Sequence, residues 1–382
     1  MSFSLYVHIP YCDSKCPYCD FNSYAVRQWP EQRYVAALKA EMAFRAGQPA
    51  FAGHPLRTVF FGGGTPSLFA PASIGAILEN ADRLFGIQAG AEITLETNPG
   101  TVDQAKLRGY AEVGINRLSL GAQSFNPRLL KQLGRIHDAD QTRQAARWAR
   151  QAGMAELSLD LIFALPGQTL AEASADIAAA VALEPDHISA YNLTFEPGTA
   201  FGAALKSGRM RPLAESRQAA MYARVRRDLA RLGYPMYEIS NYARPGHPAR
   251  HNLTYWRGED YLGIGAGAHS YAAQGSGGRR WWNERLPALY LERALEAGMV
   301  EAGNETLDAQ TSAGEFTFLN LRLREGLAET RFHARFGHTL LEHYGSRLTS
   351  LIEGDLLFWD GAHLRLSERG LELADSVFAE LV

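Results

Sequence analysis

Residues 5–24 read Leu5-Tyr-Val-His-Ile-Pro-Tyr-Cys-Asp-Ser-Lys-Cys-Pro-Tyr-Cys-Asp-Phe-Asn-Ser-Tyr24, a β-rich run that passes into a loop holding every cysteine of the 382-residue chain. Cys12, Cys16 and Cys19 are interleaved with Asp13, Ser14, Lys15 and prolines, which describes a loop rather than a core. An odd count at such tight spacing excludes a disulfide framework. In a reducing compartment the cluster points to metal or redox chemistry. Three thiolates can hold an iron–sulfur cluster, or zinc with one further ligand, which would be His8, Asp13, Asp20 or a remote histidine. A [4Fe–4S] cube on three cysteines leaves one iron open to a non-protein ligand.

Outward from this loop, short β-rich runs alternate with amphipathic stretches. The expected strands are Leu5–Ile9, Thr58–Phe61, Glu92–Glu96, Arg117–Gly121, Leu157–Phe163 and His187–Leu193. The expected helices are Glu31–Ala46, Ala72–Phe85, Val102–Val113, Ala139–Ala152 and Leu170–Leu183. Parallel neighbours need crossover helices, so six such units predict an α/β fold, an incomplete (β/α)6 barrel. Polar, Gly-rich and cysteine-bearing segments follow the strands at one edge: Pro10–Cys19, Gly62-Gly-Gly-Thr65, Glu96-Thr-Asn-Pro99, Gln123, Ala164–Gly167 and Thr194–Pro197. That is the edge on which barrels build their sites.

Past residue 200 the rhythm loosens. Leu213–Leu232 predicts a long helix, and the run GIGAGAHSYAAQGSGG (263–278) reads as a loop. From about residue 305 helices precede a hairpin turning at Asp360-Gly361, which predicts a smaller, mainly helical, winged-helix-like unit. The expected division is 1–205 for the partial barrel, 206–300 for a helical and Gly-rich extension packing on it, and 301–382 for the C-terminal unit. Residues 305–382 carry 7 Arg, no Lys and 13 Asp or Glu, a net of 7 − 13 = −6. That sign argues against nucleic acid. His333, His338 and His343 recur every five residues and read as scattered surface positions. The whole chain has a net charge of −3, 46% hydrophobic and 21% charged residues, as expected for a globular protein. With neither a signal sequence nor a run of ~20 apolar residues, the expected location is cytoplasmic, reaching a membrane only peripherally through a partner.

Cys-x3-Cys-x2-Cys with Tyr18 before the third cysteine, just after a first strand, resembles the signature of radical S-adenosylmethionine enzymes. The resemblance implies a [4Fe–4S] cluster whose open iron chelates the amino and carboxylate groups of S-adenosylmethionine. One electron would then cleave the sulfonium to a 5′-deoxyadenosyl radical. Within the superfamily, LYVHIPYC, FFGGGTPS, ITLETNP, NRLSLGAQSFN, LGRIHD, LDLIFALPGQT and YLGIGAGAHSY are similar to oxygen-independent coproporphyrinogen III oxidase and its relatives. Carried over, the cofactor contacts fall on Tyr6, Tyr18, Gly62, Gly63, Gly64, Thr65, Glu96, Gln123, Arg135 and Asp160. Glu96 suits an ammonium or ribose hydroxyl, and Arg135 and Asp160 suit carboxylate and ribose groups.

The family splits, and Phe21 bears on the split. The decarboxylating oxidase has a further cysteine two residues after the third, where this chain has Phe21, and an N-terminal extension absent here. The CDFNSY continuation resembles the haem chaperones of the HemW type, as does His251-Asn-Leu-Thr-Tyr-Trp256. That resemblance implies haem as cargo, haem-protein acceptors such as respiratory enzymes, and a flavodoxin- or ferredoxin-type electron donor. Physically, a neutral His251 imidazole can ligate haem iron, while Tyr255 and Trp256 offer flat surface for a porphyrin. His251, Asn252, Tyr255 and Trp256 are therefore the haem-binding candidates. A porphyrinogen-decarboxylating enzyme is the alternative, a zinc-stabilised binding protein the third reading. A homodimer is left open.

Overall fold

A computed structural model describes residues 2–382. Strand β1 (Phe3–Ile9) alternates. Phe3, Leu5, Val7 and Ile9 enter a core shared with Leu38, Met42, Ile74 and Ile77, while Ser4, Tyr6 and His8 lie on the opposite, polar face. The cysteine loop follows, bracketed by β2 (Tyr11–Cys12) and β3 (Tyr24–Ala25), a short parallel pair. Then come β4 (Leu56–Gly63), β5 (Ile87–Thr97), β6 (Arg117–Gln123), β7 (Glu156–Phe163) and β8 (His187–Asn192). The six expected strands pair in parallel in the order β1-β4-β5-β6-β7-β8.

Helices Glu31–Ala46, Pro71–Phe85, Gln104–Glu112, Ala139–Gln151 and Leu170–Val181 lie between them in the chain. Two begin with reciprocal caps, Asp138 with Gln141 and Thr169 with Glu172, which satisfy the free N–H groups of the first turn.

The Gly-rich run 263–278 corrects the expectation of a loop. After β9 (Met236–Glu238) and β10 (Asn241–Ala243) come β11 (Tyr261–Ile264), β12 (His269–Gln274), β13 (Gly277–Asn283) and β14 (Glu301–Leu307). β11 joins β1 as a seventh parallel strand, β12 to β14 continue antiparallel, and β10 and β9 extend the other edge beyond β8. The result is one twelve-stranded sheet. Glycine hides these strands because it carries poor β propensity, yet close backbone approach demands it. A Cβ on Gly263 would lie 2.0 Å from the His269 carbonyl oxygen, and one on Gly265, at φ +101°, 2.3 Å from that of His8.

Buried Glu41 fastens this extension to the first helix. It accepts from Gly265 N at 2.9 Å, Asn283 Nδ2 at 2.6 Å and the Tyr290 hydroxyl at 2.7 Å, the satisfaction a buried carboxyl requires.

A second core gathers Phe332, Leu348, Leu364 and Val377. It is built from helices Ala309–Leu321, Glu329–Phe336, Leu340–Tyr344 and Ser346–Glu353 and a three-stranded sheet, with β15 (Leu327–Ala328), β16 (Leu357–Trp359) and β17 (His363–Leu366) in the order β15-β17-β16. The expected hairpin turns at Asp360, whose Oδ1 accepts from Ala362 N at 2.9 Å and His363 N at 2.7 Å. The histidines of this unit need correction. His333 is exposed, but His338 and His343 stack at 5.0 Å with a 2.9 Å hydrogen bond and lie edge-on to Phe332. A helix end between them bends the five-residue spacing back on itself. Among the described residues no helix is long and apolar enough to cross a membrane.

Candidate functional site

The cysteines sit at the C-terminal end of the parallel strands, in a loop held by its own polar groups. Lys15 Nζ donates to the carbonyls of Phe21 and Ser23, each at 2.9 Å. Asn22 Nδ2 donates to those of Ala266 and Arg285, each at 2.9 Å. The sequence reading missed Lys15 and Asn22, and the only signal for them was their place between and after the cysteines. Cys12 is buried and the other two are half-buried. Thr65 Oγ1 approaches Cys12 Sγ at 3.5 Å, and Arg135 Nη1 approaches Cys16 Sγ at 3.2 Å. Burial pushes the Cys12 and Cys19 thiols up, so a metal that takes them as thiolates must displace their protons.

His8, one of the fourth ligands considered for zinc, is already committed. Its Nε2 lies 2.9 Å from the Asn22 carbonyl oxygen, which can only accept, so the proton is on Nε2. Nδ1 then accepts from the Tyr6 hydroxyl at 3.0 Å. Burial lowers the His8 pKa to about 4, keeping the ring neutral. Asp13 and Asp20 are exposed.

The Gly62–Thr65 turn comes close enough to the cysteine loop that only glycine fits. A Cβ on Gly64 would lie 2.6 Å from the Tyr11 carbonyl oxygen and 3.0 Å from Cys12 Sγ, and one on Gly63, at φ +112°, 2.5 Å from the His8 ring. Beside the turn, Glu96 accepts from Gly63 N at 3.2 Å, and Asp160 accepts from Ser119 Oγ at 3.2 and 3.0 Å. Burial, then the neighbouring Asp160, raises the Glu96 pKa to about 8. Burial also raises that of Asp160. Neither carboxyl makes an ion pair among the described residues. Gln123 sits where the β6–β7 register shifts, at φ 63°, an uncommon backbone for a non-glycine residue. Arg135 Nη2 donates to the Gly121 carbonyl at 3.1 Å, while its buried Nε has no partner among the described residues. Tyr18 packs on Phe201, ring centroids 6.3 Å apart. The sequence-predicted residues around the cysteines therefore converge on one rim.

His251, Asn252, Tyr255 and Trp256 stand next to that rim, the His251 ring 6.5 Å from that of Tyr6. They lie on helix Arg250–Trp256, at the level of Ser4, Thr58 and Glu92 nearer the start of the strands. Glu92 accepts from the helix's first amides, Arg250 N at 3.0 Å and His251 N at 2.8 Å, and pairs with Arg117 Nε at 3.0 Å. His251 is 1% exposed. The Thr58 hydroxyl gives its proton to Ser4 at 2.8 Å, so His251 Nδ1 donates to Thr58 at 2.7 Å and Nε2 accepts from the Tyr255 hydroxyl at 2.8 Å. Phe60 stacks on the ring at 5.0 Å, and Arg322 lies over Trp256 at 4.4 Å. With both nitrogens engaged and no open face, His251 is not placed to ligate haem iron in this conformation. The motif packs on the side chains of Thr58, Phe60 and Glu92.

Comparison with known proteins agrees with this architecture. The model of the radical SAM superfamily matches residues 6–178, and that of the HemN C-terminal domain matches residues 307–373. Heme chaperone HemW of Bacillus subtilis is 35% identical over 379 residues, covering 98% of each chain. The chain belongs to the HemW family of radical SAM proteins. Heme chaperone HemW of Escherichia coli is 38% identical over 341 residues, covering 87% of this chain and 86% of that one. The solved structure of coproporphyrinogen III oxidase (HemN) from Escherichia coli superimposes with a TM-score of 0.85 at 23% identity, over 100% of this chain and 90% of that one, and shows the shared fold.

Radical SAM membership implies a [4Fe–4S] cluster and S-adenosylmethionine, and the residues present fit both. Three thiols stand on one loop, glycine backbone lies against it, two half-buried carboxyls make no ion pair, and a buried arginine nitrogen has no partner among the described residues.

Proposed function

We propose that the chain is a haem chaperone. It holds a [4Fe–4S] cluster on Cys12, Cys16 and Cys19 and binds S-adenosylmethionine across Gly62–Thr65, Glu96, Gln123, Arg135 and Asp160, with Tyr6 and Tyr18 at the margins. Haem is its cargo, and haem proteins such as respiratory enzymes are the acceptors. A small flavodoxin- or ferredoxin-type protein supplies electrons. The observation that carries this reading is full-length kinship with relatives named heme chaperones, joined to Phe21 at the position where the decarboxylating oxidase has a cysteine. When bound, the cluster supplies one electron at a time and an open iron. The protein's own groups do the holding: Arg135 and Thr65 direct N–H and O–H groups at cysteine sulfur, and Glu96 and Asp160 offer anionic oxygen to an ammonium and ribose hydroxyls.

Two assays on anaerobically reconstituted protein test the reading. Haem titration is expected to give a saturable Soret band. Incubation with coproporphyrinogen III, dithionite and S-adenosylmethionine is expected to give no protoporphyrinogen, and its formation would sink the assignment.

The carboxyls predict a pH dependence. With its pKa raised to about 8, Glu96 is largely protonated near pH 7. A cationic ligand favours the carboxylate, so binding at pH 7 releases a proton. Affinity for S-adenosylmethionine is expected to rise by up to about tenfold per pH unit toward pH 8 and then level off. Calorimetry in buffers of different ionisation enthalpy measures the proton. Glu96→Gln should abolish its release, and an unchanged release in that variant refutes the assignment to Glu96.

A further inference from the structure

A cysteine sulfur that holds iron is a thiolate, so a polar hydrogen beside it can only be given to it. Two of the three sulfurs have such donors from outside the loop, Thr65 Oγ1 on Cys12 and Arg135 Nη1 on Cys16. The third donor belongs to the loop itself. Ser23 Oγ lies 3.9 Å from Cys19 Sγ, and Ser23 is only 5% exposed, which keeps water from replacing it. Burial pushes the Cys19 thiol up, while the Phe21 amide, the Ser23 hydroxyl and Lys15 draw it back. Burial raises Cys12 as well, and there the hydroxyls of Thr65 and Ser23 oppose it. Ser23 therefore faces two of the three sulfurs.

A serine hydroxyl has one proton to give, and here a carbonyl competes for it. The Phe21 oxygen lies 3.4 Å from Ser23 Oγ. That oxygen already accepts from Ser23 N at 2.7 Å and from Lys15 Nζ at 2.9 Å, which engages both of its lone pairs. Lys15 thus fills the place that the hydroxyl would otherwise use. Its second bond, to the Ser23 carbonyl at 2.9 Å, ties the ammonium to the serine itself. The hydroxyl proton is left for sulfur. Lys15 stands between the first two cysteines, so the motif carries its own positioning group.

We propose that Ser23 sets the electron affinity of the [4Fe–4S] cluster through a hydroxyl proton turned onto Cys19 and Cys12 sulfur, and that Lys15 aims that proton. The inference rests on the cluster reading and names the groups that govern its redox poise. Three thiolates make the cluster anionic, and one electron taken from a reductant makes it more so, with no bond broken. A hydrogen bond to sulfur and a nearby cation both favour the more negative state, so both raise the potential.

The test uses the full chain, reconstituted anaerobically, as wild type, Ser23→Ala, Lys15→Met, Lys15→Arg and the Ser23→Ala, Lys15→Met pair. Each is titrated with dithionite and mediators in the absence of S-adenosylmethionine, following the electron paramagnetic resonance of the reduced cluster. Ser23→Ala is expected to lower the ratio of reduced to oxidised cluster about tenfold at a given potential, a midpoint about 59 mV more negative. That shift should persist at high salt, because the hydroxyl is buried. Lys15→Met should move the midpoint in the same direction, and Lys15→Arg, which keeps charge and donors, should stay near wild type. The pair should shift by less than the sum of its members, since Lys15 acts partly through Ser23. Additive shifts overturn the aiming role of Lys15. An unmoved midpoint in Ser23→Ala with wild-type iron and sulfide overturns the proposal and leaves the cluster reading standing. Should Ser23→Ala take up no cluster, equal midpoints in Lys15→Met and Lys15→Arg overturn it equally. A wild type without iron and sulfide overturns the cluster reading itself.

Discussion

Replacing any one of Cys12, Cys16 or Cys19 by alanine is expected to abolish the iron–sulfur cluster. Anaerobic reconstitution should then yield roughly a tenth or less of the wild-type iron and sulfide, because each thiolate holds one iron corner and the fourth corner has no protein ligand to compensate. The loss should be nearly equal at the three positions. The sequence around them offers no spare donor, since His8 is locked between Tyr6 and the Asn22 carbonyl and Asp13 and Asp20 point to solvent. The fold should survive, because Lys15 and Asn22 hold the loop through backbone carbonyls rather than through sulfur. Iron and sulfide quantification beside thermal unfolding separates the two effects. Wild-type iron content in any single variant would mean that another group ligates the cluster. Zinc in place of iron and sulfide in the anaerobic wild type would end the cluster assignment outright.

His251→Ala should destabilise the protein by about 2–5 kcal/mol, the range for emptying a packed site and stranding buried hydroxyls. It removes the acceptor of the Tyr255 hydroxyl and the donor to Thr58 and leaves a hole beneath Phe60. His251→Gln, which can both donate and accept, should recover part of the loss. Denaturant unfolding measures both variants, and haem titration of whichever variant folds should show wild-type iron ligation. A haem spectrum changed in His251→Gln with stability intact would return His251 to the haem site.

Acid should expose the same residue. Burial, with a smaller contribution from Arg57, lowers the His251 pKa from its ordinary 6.5 to about 3. The unfolded chain takes up this proton first, so stability is full above pH 6.5 and falls toward pH 3, by up to about 1.4 kcal/mol per unit from this group. His251→Gln should flatten that slope.

How far the chain could be read from its residues depended on whether a signal was local. The β1 run and the cysteine loop, the six strands and the helices between them repeat patterns that neighbouring residues set, and the structure has them within a few residues. Gly62–Gly64 and Glu96 were legible because they follow strands, and strand ends share an edge in a parallel barrel. The β11–β13 extension was illegible. Its glycines answer to groups hundreds of residues away, the His8 backbone and the Asn22 side chain, and glycine content by itself reads as a loop. The His251 motif shows the same division. By itself, the sequence determined that His251 stands beside Tyr255 and Trp256. Only the tertiary structure decided that its ring is enclosed. A helix seals His251 between Thr58 and Tyr255. Adjacency in the chain sets which groups can act together, but burial, which long-range pairing controls, sets which of them a ligand can reach.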